Sequence, residues 1–137
     1  KLASGPAMWG IGEGSADEQT LFKWSGAGWA KRSMLMDGGA EDAMGATSIW
    51  PSPGGHVFVA KGKTVLRSTN DGATWTAMPF QSSMYRVWGR SNTDVYAGGP
   101  DGLHHYDGKA WSAVDFGMSV LALAGDAKGV YVLTVKR

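Results

Sequence analysis

Short apolar runs separated by turn-forming residues set the rhythm of this chain, and the clearest unit is Leu66 to Trp75, Leu-Arg-Ser-Thr-Asn-Asp-Gly-Ala-Thr-Trp. It predicts a strand, a tight turn and the start of a second strand. Leu66 is apolar, and Ser68 and Thr69 suit a strand edge. Asn70, Asp71 and Gly72 supply turn chemistry: side-chain oxygens that accept from nearby backbone N–H groups, and a glycine that takes positive φ without a steric penalty. Trp75 is a large apolar anchor where the chain returns to a sheet.

The same plan returns twice. Leu103 to Trp111 and Leu21 to Trp29 both run from leucine through a turn glycine to tryptophan. The upstream halves match as well, since Ile49-Trp50 precedes Val57-Phe58-Val59 as Val87-Trp88 precedes Val95-Tyr96-Ala97. Trp50 to Trp88 is 38 residues and Trp75 to Trp111 is 36. Self-similarity at a period near 40, with four short strands per unit, predicts an all-β chain of antiparallel propeller blades.

Residues 6–34, 47–80, 84–116 and 120–135 form the units of this array, all within a single domain spanning 1–137. In the first, Met8-Trp9 takes the place of Val95-Tyr96. Pro6 to Gly14 is then a second strand, Thr20 to Ser25 a third and Gly28 to Met34 a fourth, with a polar connection over Ser15 to Gln19. Leu35 to Ala46 carries Asp37, Glu41 and Asp42 and predicts a long connection with room for a helical turn. Ile49 and Trp50 lie on the next first strand, turned by the segment Pro51 to Gly55. His56 to Ala60 and Thr64 to Thr69 pair through Lys61-Gly62-Lys63, and Trp75 to Met78 forms an outer strand stopped by Pro79. Met84 to Phe116 repeats the plan. Val120 to Gly125 and Val130 to Val135 begin a last unit.

The expected strand count is three, four, four and two, or about three and a half blades with partial blades at both termini. Open sheet edges invite pairing, so a homo-oligomer or a companion chain that completes the propeller is expected. The sequence begins at Lys1 and ends at Lys136-Arg137. An arginine end is what a trypsin-like cut leaves, which predicts a fragment, and an expression boundary gives the same end.

Composition narrows the classes. With 21 glycines and 7 tryptophans the chain is turn-rich and aromatic-rich, as all-β proteins are. The formal net charge is +1, and no basic run with interleaved aromatics appears, so no nucleic-acid footprint is expected. Cysteine is absent, which removes disulfide scaffolds, thiolate catalysis and cysteine-ligated metals. No apolar run approaches the roughly 18 residues of a membrane span.

Ser68-Thr69-Asn70-Asp71-Gly72-Ala73-Thr74-Trp75 resembles the Asp-box, or BNR repeat, of sialidase-like and related β-propellers. Their pattern is Ser-x-Asp-x-Gly-x-Thr-Trp. Ser68, Gly72, Thr74 and Trp75 match it, and Asn70 stands at the aspartate position with Asp71 beside it. In that family the box joins the third and fourth strands of a blade, far from the sialidase active site. Tyr106-Asp107-Gly108-Lys109-Ala110-Trp111 is a degenerate form without the serine and threonine. The stretch from Val87-Trp88-Gly89 to Asp94-Val95-Tyr96-Ala97 is similar to tandem repeats of secreted bacterial propeller proteins. The resemblance implies fold and an extracellular or cell-surface location, and little about chemistry.

Candidate sites are few. A glycosidase needs paired carboxylates, and a sialidase adds an arginine cluster for the substrate carboxylate and a nucleophilic tyrosine. Arg32, Arg67, Arg86, Arg90 and Arg137 are spread along the chain, and most carboxylates fall in turns. His104-His105 are adjacent on a strand, so they point to opposite faces and suit no shared metal. Asp101, Asp107 and Asp126 sit in glycine-containing turns without the alternating ligand spacing of a calcium loop. Gly10, Gly12 and Gly14 are followed by no helix and read as strand and turn, not a phosphate loop. Trp29, Trp75 and Trp111 recur at equivalent positions and predict packing between blades, as do Trp50 and Trp88. Trp9, Trp24, Tyr85 and Tyr106 are the candidate ligand-stacking aromatics.

These observations predict a non-catalytic propeller that binds or scaffolds, with no cofactor and no metal. A glycan-binding propeller lectin is the alternative, and a fragment of a sialidase-like glycosidase ranks third.

Overall fold

The computed structural model describes residues 8–13, 19–32, 34–36, 39–41, 45–114 and 117–136. Lys1, Pro6, Gly14, the connection at 15–18, Asp37, Asp42, Phe116 and Arg137 lie outside the described residues. Every described element is a strand, all pairing is antiparallel, and there is no helix among them.

Three strands form the first sheet: β1 (Trp9–Glu13), β2 (Gln19–Trp24) and β3 (Trp29–Arg32). A short hairpin follows, β4 (Met34–Met36) with β5 (Gly39–Glu41). The second sheet is β6 (Ala46–Pro51), β7 (Val57–Lys61), β8 (Thr64–Ser68) and β9 (Thr76–Pro79). The third is β10 (Arg86–Ser91), β11 (Asp94–Gly99), β12 (Gly102–Tyr106) and β13 (Trp111–Val114). β14 (Met118–Gly125) pairs with β15 (Val130–Lys136) in the last sheet. Within each sheet the spatial order follows the sequence order, so each is a plain meander of hairpins.

The hairpin β4–β5 corrects the expectation of a helical turn between Leu35 and Ala46. Met34 is buried in the first core cluster and Met36 packs against the same cluster. Side chains two apart on one face require the period of a strand, not of a helix.

The second sheet is the middle layer, and its sequence explains why. β7 reads Val-Phe-Val-Ala, apolar on both faces, and all four residues are buried. Val57 and Val59 join Leu21, Met34, Leu66 and Trp75 in a core shared with the first sheet. Phe58 and Ala60 face the opposite way and join Val65, Met84, Val87, Val95, Ala97 and Tyr106 in a core shared with the third. Each fully buried valine or phenylalanine contributes roughly 1.5–3 kcal/mol relative to exposure. A one-residue slip of β7 would exchange the two cores, so its register is strongly specified.

Successive sheets stack with equivalent positions together. β6 touches β10, and β10 touches β14, so the first strands of the last three sheets stand side by side. Thr47 Oγ1 donates to the Tyr85 carbonyl at 2.8 Å, 38 residues on. Val87 N–H donates to Ser48 Oγ at 3.1 Å across 39 residues. Ser52 bonds Asn92 across 40. Trp50 lies over Gly89, where an added Cβ would stand 2.9 Å from its ring, and Trp88 lies over Gly125, where the gap would be 2.5 Å. Both glycines follow the same ladder position, and only a missing side chain lets the indole approach so closely.

Candidate functional site

The turn between β8 and β9 holds a network of six side-chain hydrogen bonds, all of them local. Ser68 is buried, and its Oγ accepts from the Gly72 N–H at 2.8 Å and the Asn70 N–H at 3.4 Å. Its hydroxyl donates to Asn70 Oδ1 at 2.9 Å, which also accepts from the Thr74 N–H at 2.9 Å. Asn70 Nδ2 donates to Thr74 Oγ1 at 2.8 Å, and Trp75 Nε1 donates to the Gly72 carbonyl at 3.2 Å. Asp71 and Gly72 hold φ of 60° and 84°, the left-handed region where asparagine, aspartate and glycine are tolerated. The side chains of Ser68, Asn70 and Thr74 are thus spent on holding the chain. Asp71 points away from this network and forms an ion pair with Lys23 of the first sheet.

Two other turns use a simpler version. Asp107 Oδ1 accepts from Lys109 N–H at 2.8 Å and Ala110 N–H at 2.9 Å. Asp126 Oδ1 accepts from Lys128 N–H at 2.8 Å and Gly129 N–H at 3.1 Å. The Ala110 and Lys109 amides hold the Asp107 carboxyl below its ordinary range. No group of three or more potential metal ligands occurs among the described residues.

The four candidate stacking aromatics do not converge. Trp9 lies between the first two sheets, edge-on to Trp75 with centroids 6.3 Å apart, against Gly72 and beneath the Lys23 ammonium at 5.7 Å. Tyr106 is 3 % exposed, enclosed by Phe58 at 5.9 Å and Trp111 at 5.2 Å. Its hydroxyl accepts from Arg67 Nη1 at 2.6 Å and donates to the Gly108 carbonyl at 3.0 Å. A ring covered on both sides offers no platform, so Trp9 and Tyr106 act as packing residues. Tyr85 is exposed just before β10, which belongs to a different sheet from Trp24.

Trp24 remains, and it has a partner. Its ring meets Trp29 at 5.5 Å and 62°, and Trp29 is 53 % exposed. This corrects the expectation that Trp29 packs between sheets as Trp75 does. Trp29, Phe22, Ile11, Gly10 and Gly12 line an open cleft of about 320 Å³ on the outer face of the first sheet, almost wholly apolar. Gly10 and Gly12 form its floor, since their missing side chains would meet the rings of Trp29 and Phe22. An aromatic-walled, glycine-floored cleft can take a flat apolar group. It offers few polar atoms for orienting a hydroxylated one.

The charged groups are spread out. Arg67 reaches Tyr106 between the second and third sheets, where its Nε and the His56 Nδ1 are both buried without a partner. Burial and then the Arg67 charge hold the His56 pKa below its ordinary value. Arg90 and His105 both contact Asp94 at 2.7 Å. Burial raises the Asp94 pKa, but the bonds from Arg90 and His105 outweigh it and the net shift is downward. Arg86 Nη1 donates to the carbonyl of neighbouring Tyr85. His104 turns the other way and meets Phe80 edge-on at 5.1 Å, while His105 lies on Tyr96 at 4.6 Å.

Pattern reading missed the Trp50–Gly89 and Trp88–Gly125 contacts, although the signal was there: a glycine recurs one position past the equivalent of each tryptophan. Fold and surface together define a stack of small antiparallel sheets with an aromatic cleft on its outer face. The chain matches no protein-family model, and no curated protein matches it. Among the described residues no helix is long and apolar enough to cross a membrane.

Proposed function

We propose that this chain is a non-catalytic β-propeller module that binds or scaffolds, working outside the cell or at its surface. The observation that carries the propeller is the stacking of successive sheets at a repeat offset of 39 and then 37 residues, with Trp50 on Gly89 and Trp88 on Gly125. Leading strands side by side and meandering sheets face to face suit the blades of a radial array. The self-contained Ser68–Trp75 turn supports its reading as an Asp-box, a structural device at a blade's outer hairpin. The side chains of Ser68, Asn70 and Thr74 are committed to backbone and to each other, as a structural turn requires.

The exposed Trp24–Trp29 pair favours a second reading, a glycan-binding lectin whose sugar stacks on those rings. A glycan array decides between them. Saturable binding that Trp24→Ala abolishes would establish the lectin and overturn the scaffold. Absence of any saturable signal leaves the scaffold reading standing. Turnover of a fluorogenic sialoside would overturn both in favour of a glycosidase fragment.

A further inference from the structure

Strand pairing fixes which residues are equivalent. Trp50 pairs with Phe58, Trp88 with Tyr96 and Ala124 with Tyr131. Phe58 then pairs with Arg67, Tyr96 with His105, and Trp9 with Lys23. Trp9, Phe58, Tyr96 and Tyr131 therefore occupy one position in four successive sheets. By the same ladders Trp29, Trp75 and Trp111 each precede the partner of Lys23, Arg67 and His105, namely Ala30, Thr76 and Ser112.

At the first two junctions the first kind of residue packs on the second kind, or on its ladder neighbour, in the next sheet. Trp9 meets Trp75 at 6.3 Å, and Phe58 meets Tyr106, itself stacked on Trp111, at 5.9 Å. A basic residue on β2 or β8 reinforces each of these junctions: Lys23 pairs with Asp71, and Arg67 bonds Tyr106. Tyr96 instead lies on His105 of its own sheet at 4.6 Å, which leaves one free knob and one free socket. Tyr131 is 64 % exposed on the last sheet, with Leu133 and Val135 on the same face. At the other end Trp29 is exposed against Trp24, above the Gly10–Gly12 floor.

We infer that the Tyr131 face of one copy docks on the Trp24–Trp29 face of a second copy, repeating between chains the junction that recurs within the chain. The inference deepens the stacked-sheet reading proposed above and rests on it. A second copy is the fitting occupant because each chain carries both halves of the junction. The two halves differ, so the contact is head to tail, and copies close into a ring or extend as a filament. Both faces are apolar and sparsely charged, as the core of such an interface requires.

Sedimentation velocity across the micromolar range tests this with four samples: the unaltered chain, Tyr131→Asp, Trp29→Asp, and an equimolar mixture of the two variants. The unaltered chain should associate reversibly beyond a dimer. Each variant alone should lose association by about thirtyfold or more, the effect of one hot-spot residue. The mixture should recover a dimer and nothing larger, because one intact knob and one intact socket remain. Leu133→Asp should behave as Tyr131→Asp does, and unchanged far-UV circular dichroism certifies the folded state of each. An unaltered chain that stays monomeric, or a single variant that still associates fully, overturns the inference. Trp50→Ala separates this from the reading beneath it. A monomeric chain whose melting temperature falls with Trp50→Ala keeps its stacked sheets and lacks the docking. A melting temperature indifferent to Trp50→Ala overturns the stack itself.

Discussion

Trp75 and Trp29 hold the same place in their ladders, yet one is 3 % exposed and the other 53 %. Both follow a turn and both begin or precede the last strand of their sheet. What differs is the neighbour. Trp75 has Trp9 against its ring and the core of Leu21, Val57 and Leu66 around it. Trp29 has Trp24 and then solvent. Burial in this molecule belongs to the junction between two sheets, and a residue acquires it only where a second sheet arrives.

The sharpest way to break that comparison is to truncate both rings. Trp75→Ala should cost about 3–5 kcal/mol, the range for deleting a buried aromatic. Trp29→Ala should stay within about 0.5 kcal/mol, as surface changes do. Urea unfolding of the two variants at a protein concentration low enough to keep copies apart measures the difference. Equal losses would mean that the two positions are not distinguished by their neighbours.

A smaller effect is expected from filling the gap that lets one sheet approach the next. An alanine methyl at Gly89 would stand 2.7 Å from the Asp94 carbonyl and 2.9 Å from the Trp50 ring. The backbone oxygen cannot retreat as a side chain can, so Gly89→Ala should cost about 1–3 kcal/mol through overpacking. Gly28→Ala is the control, since nothing lies within 4 Å of its added methyl. Thermal melts of the pair would show whether the close tryptophan–glycine contact is a requirement or an accident of sequence.

How much of this was legible beforehand follows the same line. The meanders were readable because alternation and turn residues act within a few positions: Asn70-Asp71-Gly72 fixes its hairpin with no help from elsewhere. β7 was readable as a strand because Val57-Phe58-Val59 matches Val95-Tyr96-Ala97 in the repeat. The exposure of Trp29 and the enclosure of Tyr106 were not, because both depend on which face meets another sheet, and a period-2 pattern does not say so. The β4–β5 hairpin was missed because its acidic residues and glycines resemble a loop. Only the two methionines that bury on one side reveal a strand.

Turn chemistry offers a third, milder contrast. Ser68 is buried and bonds the backbone at Asn70 and Gly72, whereas Asp107 is exposed and bonds Lys109 and Ala110. Removing a buried bonding group leaves its partners unsatisfied, so Ser68→Ala should cost about 1–3 kcal/mol. Asp107→Ala exposes amides that water can satisfy and should cost less. Denaturant midpoints with unchanged slopes would establish the order Ser68 above Asp107, and the reverse order would deny the Ser68 turn its structural weight.

The smallest effect distinguishes the two faces of β12, where adjacent histidines point apart. His104 lies against Phe80 with Nδ1 buried and unpartnered, and burial holds its pKa below the ordinary 6.5. The unfolded chain therefore takes up a proton at this residue before the folded chain does. Its contribution to stability is complete above the unfolded value and declines as pH falls through 6.5 toward the lower folded value. His56, lowered by burial and by Arg67, acts in the same direction. Asp94 on the opposite face is held below 3.8, so what it contributes persists through this window and is lost only at more acid pH. Melting temperature should fall between about pH 7.5 and 5.5, and His104→Phe should flatten part of that fall by removing the group that titrates. An unchanged slope in His104→Phe would assign the whole dependence to His56 and the exposed groups. That outcome would place the buried face of β12 outside the acid response altogether.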